Sequence, residues 1–181
     1  MKKTVLTFGL ISGVILATLM AATIPFADQI GFDRSMYVGY TTMVLAFSLI
    51  FFGIRSYREN VGDGYISFGR ALAVGFLIMG ISTLCYVIAW EIIYFGGFVP
   101  GFFDKMIAHQ LEKMRQSGST EQQIAEMAKY YLSWKPFFDN PIKSALFTSL
   151  ETSFPGIIIT FLSAIILRKR RKEEVGAAQL A

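Results

Sequence analysis

Four stretches of this chain, at about 4–27, 36–54, 71–98 and 142–167, stay apolar for the length of a membrane crossing. A helix of about 20 residues spans the hydrocarbon layer of a bilayer. A soluble fold with four such blocks would have too little polar surface to cover them. The blocks therefore specify an all-α architecture, an integral membrane four-helix bundle, with the lipid bilayer as its first partner. The 181 residues leave room for one domain, taken here as 1–172. Composition agrees: 17% of residues are charged, where soluble domains carry ~25%. The net charge of +4 does not indicate a nucleic-acid partner, because the basic residues flank the apolar blocks and form no separate basic face.

The first block follows Lys2 and Lys3. A basic start before an apolar run also describes a signal peptide, but this run exceeds the roughly 7–15 residues of a signal core, so a retained helix is expected. Gly9, Gly13, Ala17 and Ala21 recur every four residues along it. Small residues in that register let two helices approach closely in lipid, and the partner could be this chain or a second copy. A polar turn is expected from Asp28 to Ser35, with Gly31 breaking the helix. The second block closes on Arg55, Tyr57, Arg58 and Glu59, and Asp63-Gly64 marks a turn that accepts positive φ. No GxxxxGK[ST] pattern is present, so no nucleotide is expected. The third block, Arg70 to about Val99, ends in Trp90, Tyr94, Phe95 and Phe98, the pattern of an interfacial aromatic belt.

Residues 102–139 read as an extracytoplasmic amphipathic helical hairpin. Phe103, Met106, Ile107, Gln110, Leu111 and Met114 share one helical face. Thr120 with Gln123 forms a capping box, and Ile124, Met127, Ala128, Tyr131 and Leu132 repeat the helical period behind it. Its five acids balance its five bases, which argues against electrostatic anchoring to anionic lipid. Lying on the membrane or capping the bundle is the plain reading, and a binding role is the sharper one. Asn140 and Pro141 suit the cap and first position of the last helix, which stops at the basic run 168–172. The tail 173–181 is expected to be disordered.

Basic residues accumulate on the cytoplasmic side of short loops. Lys2, Lys3, Arg55, Arg58, Arg70 and the run 168–172 all fall on one side, so both termini are placed in the cytoplasm.

Little catalytic chemistry is available. Cys85 is the single cysteine and His109 the single histidine, too few for zinc or copper ligation, and they lie in different segments, away from any nucleophile–base arrangement. No enzyme, metal or cofactor is expected. Glu91 and Glu151 are the candidates for a buried polar or ion site, because acids inside spans normally face protein. Counted from the cytoplasmic ends at ~1.5 Å per residue, they stand about 30 and 24 Å up their helices. Facing each other, they would raise at least one pKa and share a proton. Otherwise Glu91 sits among headgroups and Glu151 bonds a neighbouring helix. Pro155 follows Glu151 by one turn and is expected to kink the helix.

The stretches MKKTVLTFGLISG, GYTTMVLAFSLIFFGIRSYREN, GYISFGRALAVG and AWEIIYF carry a resemblance. Over about residues 1–170 the chain is similar to small bacterial inner-membrane proteins grouped as domain of unknown function 4199. The segments Gly53–Asn60 and Ile66–Ala71 carry it most specifically. The resemblance implies a four-helix membrane protein of Gram-negative bacteria, and it brings no activity, ligand or catalytic residue. The expected role is a non-enzymatic structural or interaction protein of the inner membrane, forming a homo-oligomer or a membrane-protein complex. The alternative is a small transporter or channel with a proton- or cation-linked carboxylate pair.

Overall fold

A computed structural model describes residues 1–169. The chain forms α1 (Lys2–Thr23), a 3-10 turn (Ile24–Phe26), α2 (Ala27–Ile30), α3 (Phe32–Asn60), α4 (Phe68–Phe95), α5 (Phe102–Gln116), α6 (Glu121–Phe138) and α7 (Pro141–Leu167). Four segments are long and apolar enough to cross a membrane: Lys2–Ile30, Phe32–Asn60, Phe68–Phe95 and Pro141–Leu167. They make an all-helical bundle. α1 and α7 each pack on both α3 and α4, and they occupy opposite corners.

Helix ends follow local chemistry, and several differ from expectation: α4, for one, runs Phe68–Phe95 where 71–98 is expected. The polar turn at Asp28–Ser35 shrinks to Gly31 alone, at φ 91 between α2 and α3. α3 overruns the expected 36–54 at both ends, because a helix needs apolar side chains only where lipid surrounds it. Asp33 in its first turn and Arg58 in its last also suit the helix dipole. The predicted caps form. Thr120 and Gln123 close a capping box on α6, and Asn140 accepts from the Lys143 N–H ahead of Pro141. The residues 170–172 of the basic run and the tail 173–181 lie outside the described residues.

In lipid, apolar side chains gain nothing by hiding from the solvent, so close packing and interhelical hydrogen bonds must hold helices together. Both are present. Phe47, Ile50 and Ile54 of α3 meet Val74 and Ile78 of α4 and Leu16 of α1 in one fully buried cluster. Ser12 donates to the Ala46 carbonyl at 2.9 Å, and Ser82 to the Gly9 carbonyl at 3.1 Å. α7 turns a small polar face inward, with Ser144, Thr148, Thr152, Gly156 and Thr160 all buried at four-residue spacing. A Cβ on Gly75 would stand 2.6 Å from Thr160 Cγ2, so α4 and α7 touch almost backbone to backbone.

The expected small-residue stripe of α1 is only half used. Added Cβ atoms on Gly9 and Gly13 would reach Ile81 Cβ at 2.9 Å and Cys85 Cβ at 2.7 Å, so the partner is α4 of the same chain. Ala17 is half-buried and Ala21 exposed. The face that stays inward runs through Val5, Gly9, Ser12, Gly13, Leu16 and Met20.

The two ends of the bundle differ. At one end the α3–α4 turn meets the end of α7. Ile66 and Lys169 exchange backbone bonds of 3.0 and 2.9 Å, and Arg58 Nη1 donates to the Leu167 carbonyl at 3.3 Å. At the other end α5 and α6 fold over the bundle. Phe103, Ile107 and Ile124 are buried there, while Leu132 is exposed. Ion pairs Lys105–Asp28 and Lys113–Asp33 fasten α5 to α2 and α3.

A candidate binding cleft beneath the hairpin

α7 packs tightly at the level of Gly156, whose added Cβ would meet Met79 Cγ of α4 at 2.7 Å and Phe47 Cε1 of α3 at 3.4 Å. Toward the hairpin end a cleft of about 510 Å³ opens beside them, within the ~300–1,000 Å³ of small-molecule sites. α4 contributes Tyr86, Trp90 and Tyr94 at four-residue spacing, and α3 contributes Met36, Gly39, Tyr40 and Met43. Phe147, Thr148 and Glu151 come from α7, and the hairpin adds Phe102, Met106, Tyr131, Trp134 and Phe138. The aromatic rings brace one another. Trp90 stacks on Tyr94 with centroids 5.3 Å apart and meets Phe102 edge-on at 5.7 Å, and Phe138 meets Phe147 edge-on at 5.0 Å. Both tryptophans of the chain line this cleft.

Two acids line it as well. Glu151 Oε1 accepts a hydrogen bond from the Tyr40 hydroxyl at 3.2 Å, across from α7 to α3. Tyr86 lies within electrostatic reach of the same carboxylate. Asp33 is paired with Lys113 at 2.8 Å, with His109 Nε2 at 3.7 Å. The hydrogen bond to Asp33 raises the Lys113 pKa above its ordinary value, and the hydrogen bond to Asp104 does the same for Lys135.

The structure separates the two acids singled out in the sequence. Glu91 lies off the cleft wall beside the Ser144 hydroxyl, and its Oε1 is buried with no hydrogen-bond partner. Ser144 also accepts from Trp90 Nε1 at 3.3 Å. It stands two turns from Glu151 along α7, about 10 Å. No hydrogen bond joins the two carboxylates. Pro155 lies inside an α7 that runs unbroken from Pro141 to Leu167. Of the loop arginines, Arg55 pairs with Glu59 at 3.0 Å, Arg58 holds the end of α7, and Arg70 is exposed, with its N–H donating to the Ser67 cap. Among the described residues, no three His, Cys, Asp or Glu side chains gather to hold a metal ion.

Sequence reasoning missed Tyr40 and the aromatic wall. A signal existed for the wall: Tyr86, Trp90 and Tyr94 repeat every fourth residue and so mark one face of α4. Nothing in the local sequence relates Tyr40 to Glu151, 111 residues away.

A family model described as a protein of unknown function (DUF4199) matches residues 7–169. No curated protein and no solved structure matches the chain.

Proposed function

Because the chain belongs to the DUF4199 family, whose description carries no function, the site itself must suggest the role, and we propose a non-enzymatic binding protein of the bacterial inner membrane. Its cleft takes up an apolar chain from the outer leaflet. The observation that carries this reading is the aromatic cleft under the hairpin, which is large enough for a ligand and is lined by six helices. The helices that part there are ones that lipid surrounds, so a membrane-dissolved molecule can enter sideways. Met36, Tyr40, Phe147 and Trp134 are lining residues that stay exposed.

Placement in the inner membrane with both termini cytoplasmic belongs to the same proposal. Lys2, Lys3, Arg55, Arg58, Arg70, Arg168 and Lys169 lie at the end opposite the hairpin, which supports it. Self-association through α1 has less support, since Gly9 and Gly13 are occupied by α4. Transport through a Glu91–Glu151 pair also has less, since Glu91 stands off the cleft.

The test is photolabelling of the full chain in membranes with a diazirine-bearing alkyl probe, mapped by mass spectrometry. Label is expected to concentrate on cleft residues such as Met36 and Phe147. Gly39→Phe should remove that label, because Gly39 lines the cleft and no atom lies within 4 Å of an added Cβ. Label spread evenly around the perimeter, and indifferent to Gly39→Phe, would sink the proposal.

A further inference from the structure

Charge narrows the choice of molecule. Of the two acids in the cleft, Asp33 is answered by Lys113 at 2.8 Å. Glu151 has only a neutral partner among the described residues, the Tyr40 hydroxyl, and no Lys, Arg or His pairs with it. Glu151 sits ten residues along α7 from Pro141, about 15 Å in from the outer end. Glu151 is an exposed lining residue, but at that depth it is exposed to lipid rather than to water, and a carboxylate there favours a cation beside it.

The surroundings favour an organic cation. Tyr40 bonds the carboxylate directly and Tyr86 is within its electrostatic reach, while Trp90 and Tyr94 continue the same wall outward. Tyrosine and tryptophan faces attract ammonium groups. A hard metal ion would find one carboxylate and one phenol, far short of its six or more oxygens. An anionic headgroup would meet Glu151 with like charge.

We infer that the cleft holds a single-chain cationic amphiphile, its amine or quaternary ammonium against Glu151 and its alkyl chain along the aromatic wall. The inference rests on the cleft being a ligand site. It adds which ligand charge is selected.

The experiment uses the full chain in maltoside micelles, whose headgroup is uncharged. Dodecyltrimethylammonium and dodecanol are titrated separately, and emission from Trp90 and Trp134 reports binding. The wild type should saturate with both and bind the ammonium about tenfold more tightly. Glu151→Gln should lose that tenfold preference while still saturating with dodecanol. Equal wild-type affinities, or an unchanged preference in Glu151→Gln, overturn the charge selection while leaving the cleft as a site. Saturation by neither probe overturns both. The wild-type comparison decides even if Glu151→Gln fails to fold.

Discussion

A glycine is informative here according to what stands opposite it. Gly13 faces Cys85 Cβ at 2.7 Å and the Ser82 backbone at 3.2 Å, whereas Gly39 faces open space. Gly13→Leu must therefore force α1 and α4 apart, and overpacking of this kind costs about 1–3 kcal/mol. Gly39→Ala meets nothing and removes a poor helix former, a gain of up to ~1 kcal/mol. Unfolding curves in detergent should move in opposite directions for the two variants, and a common direction would contradict the packing described. Ala21→Leu should leave the curve in place, because Ala21 is exposed. At this scale the sequence was half legible. The spacing of small residues announced a contact, and the way α4 crosses α1 decided that Gly9 and Gly13 make it. Glu151 was legible as an acid in a span, but its partner Tyr40 was not, since proximity across 111 residues is a property of the fold.

The hairpin shows how an element can be secured by few interactions. α5 buries only Phe103 and Ile107, and α6 only Ile124, so charge pairs to α2 and α3 share the work of docking. Lys113→Glu should place two like charges together and loosen α5. Faster hydrogen exchange over 102–116 would register this, and Asp33→Lys combined with Lys113→Asp should restore the slow rate. High salt should imitate the single variant, since exposed pairs are screened within about 10 Å at 0.1 M. The pH response has one sign on the lysine side. The folded-state pKa of Lys113 is raised, so its contribution is complete at neutral pH and fades only as pH climbs through that raised value. The helical period and the Thr120–Gln123 box made both hairpin helices readable beforehand. Where they dock was not readable, because the docking partners Asp28, Phe32 and Asp33 fall in the stretch that the sequence alone marks as a polar turn.

For the molecule as a whole, four spans in alternating direction place residues 61–67 and Lys169 on one side and the hairpin on the other. Labelling tests the assigned sides. With Cys85→Ala as background, Ser117→Cys should react with an impermeant maleimide in intact cells, and Asn60→Cys only after lysis; the reverse pattern would invert the topology. The spans were legible because long charge-poor windows are rare, and their ends were not, because helix continues beyond lipid wherever capping and dipole allow it. The cleft was illegible for a further reason: each helix lends it a few aromatics that read singly as an interfacial belt. The pairing of Ile66 with Lys169, joined by the grip of Arg58 on Leu167, makes the bundle behave like a clothes peg. With that end tied and few hairpin side chains buried, opening is expected first at the opposite end, and Arg58→Ala should narrow the difference in hydrogen exchange between the two ends.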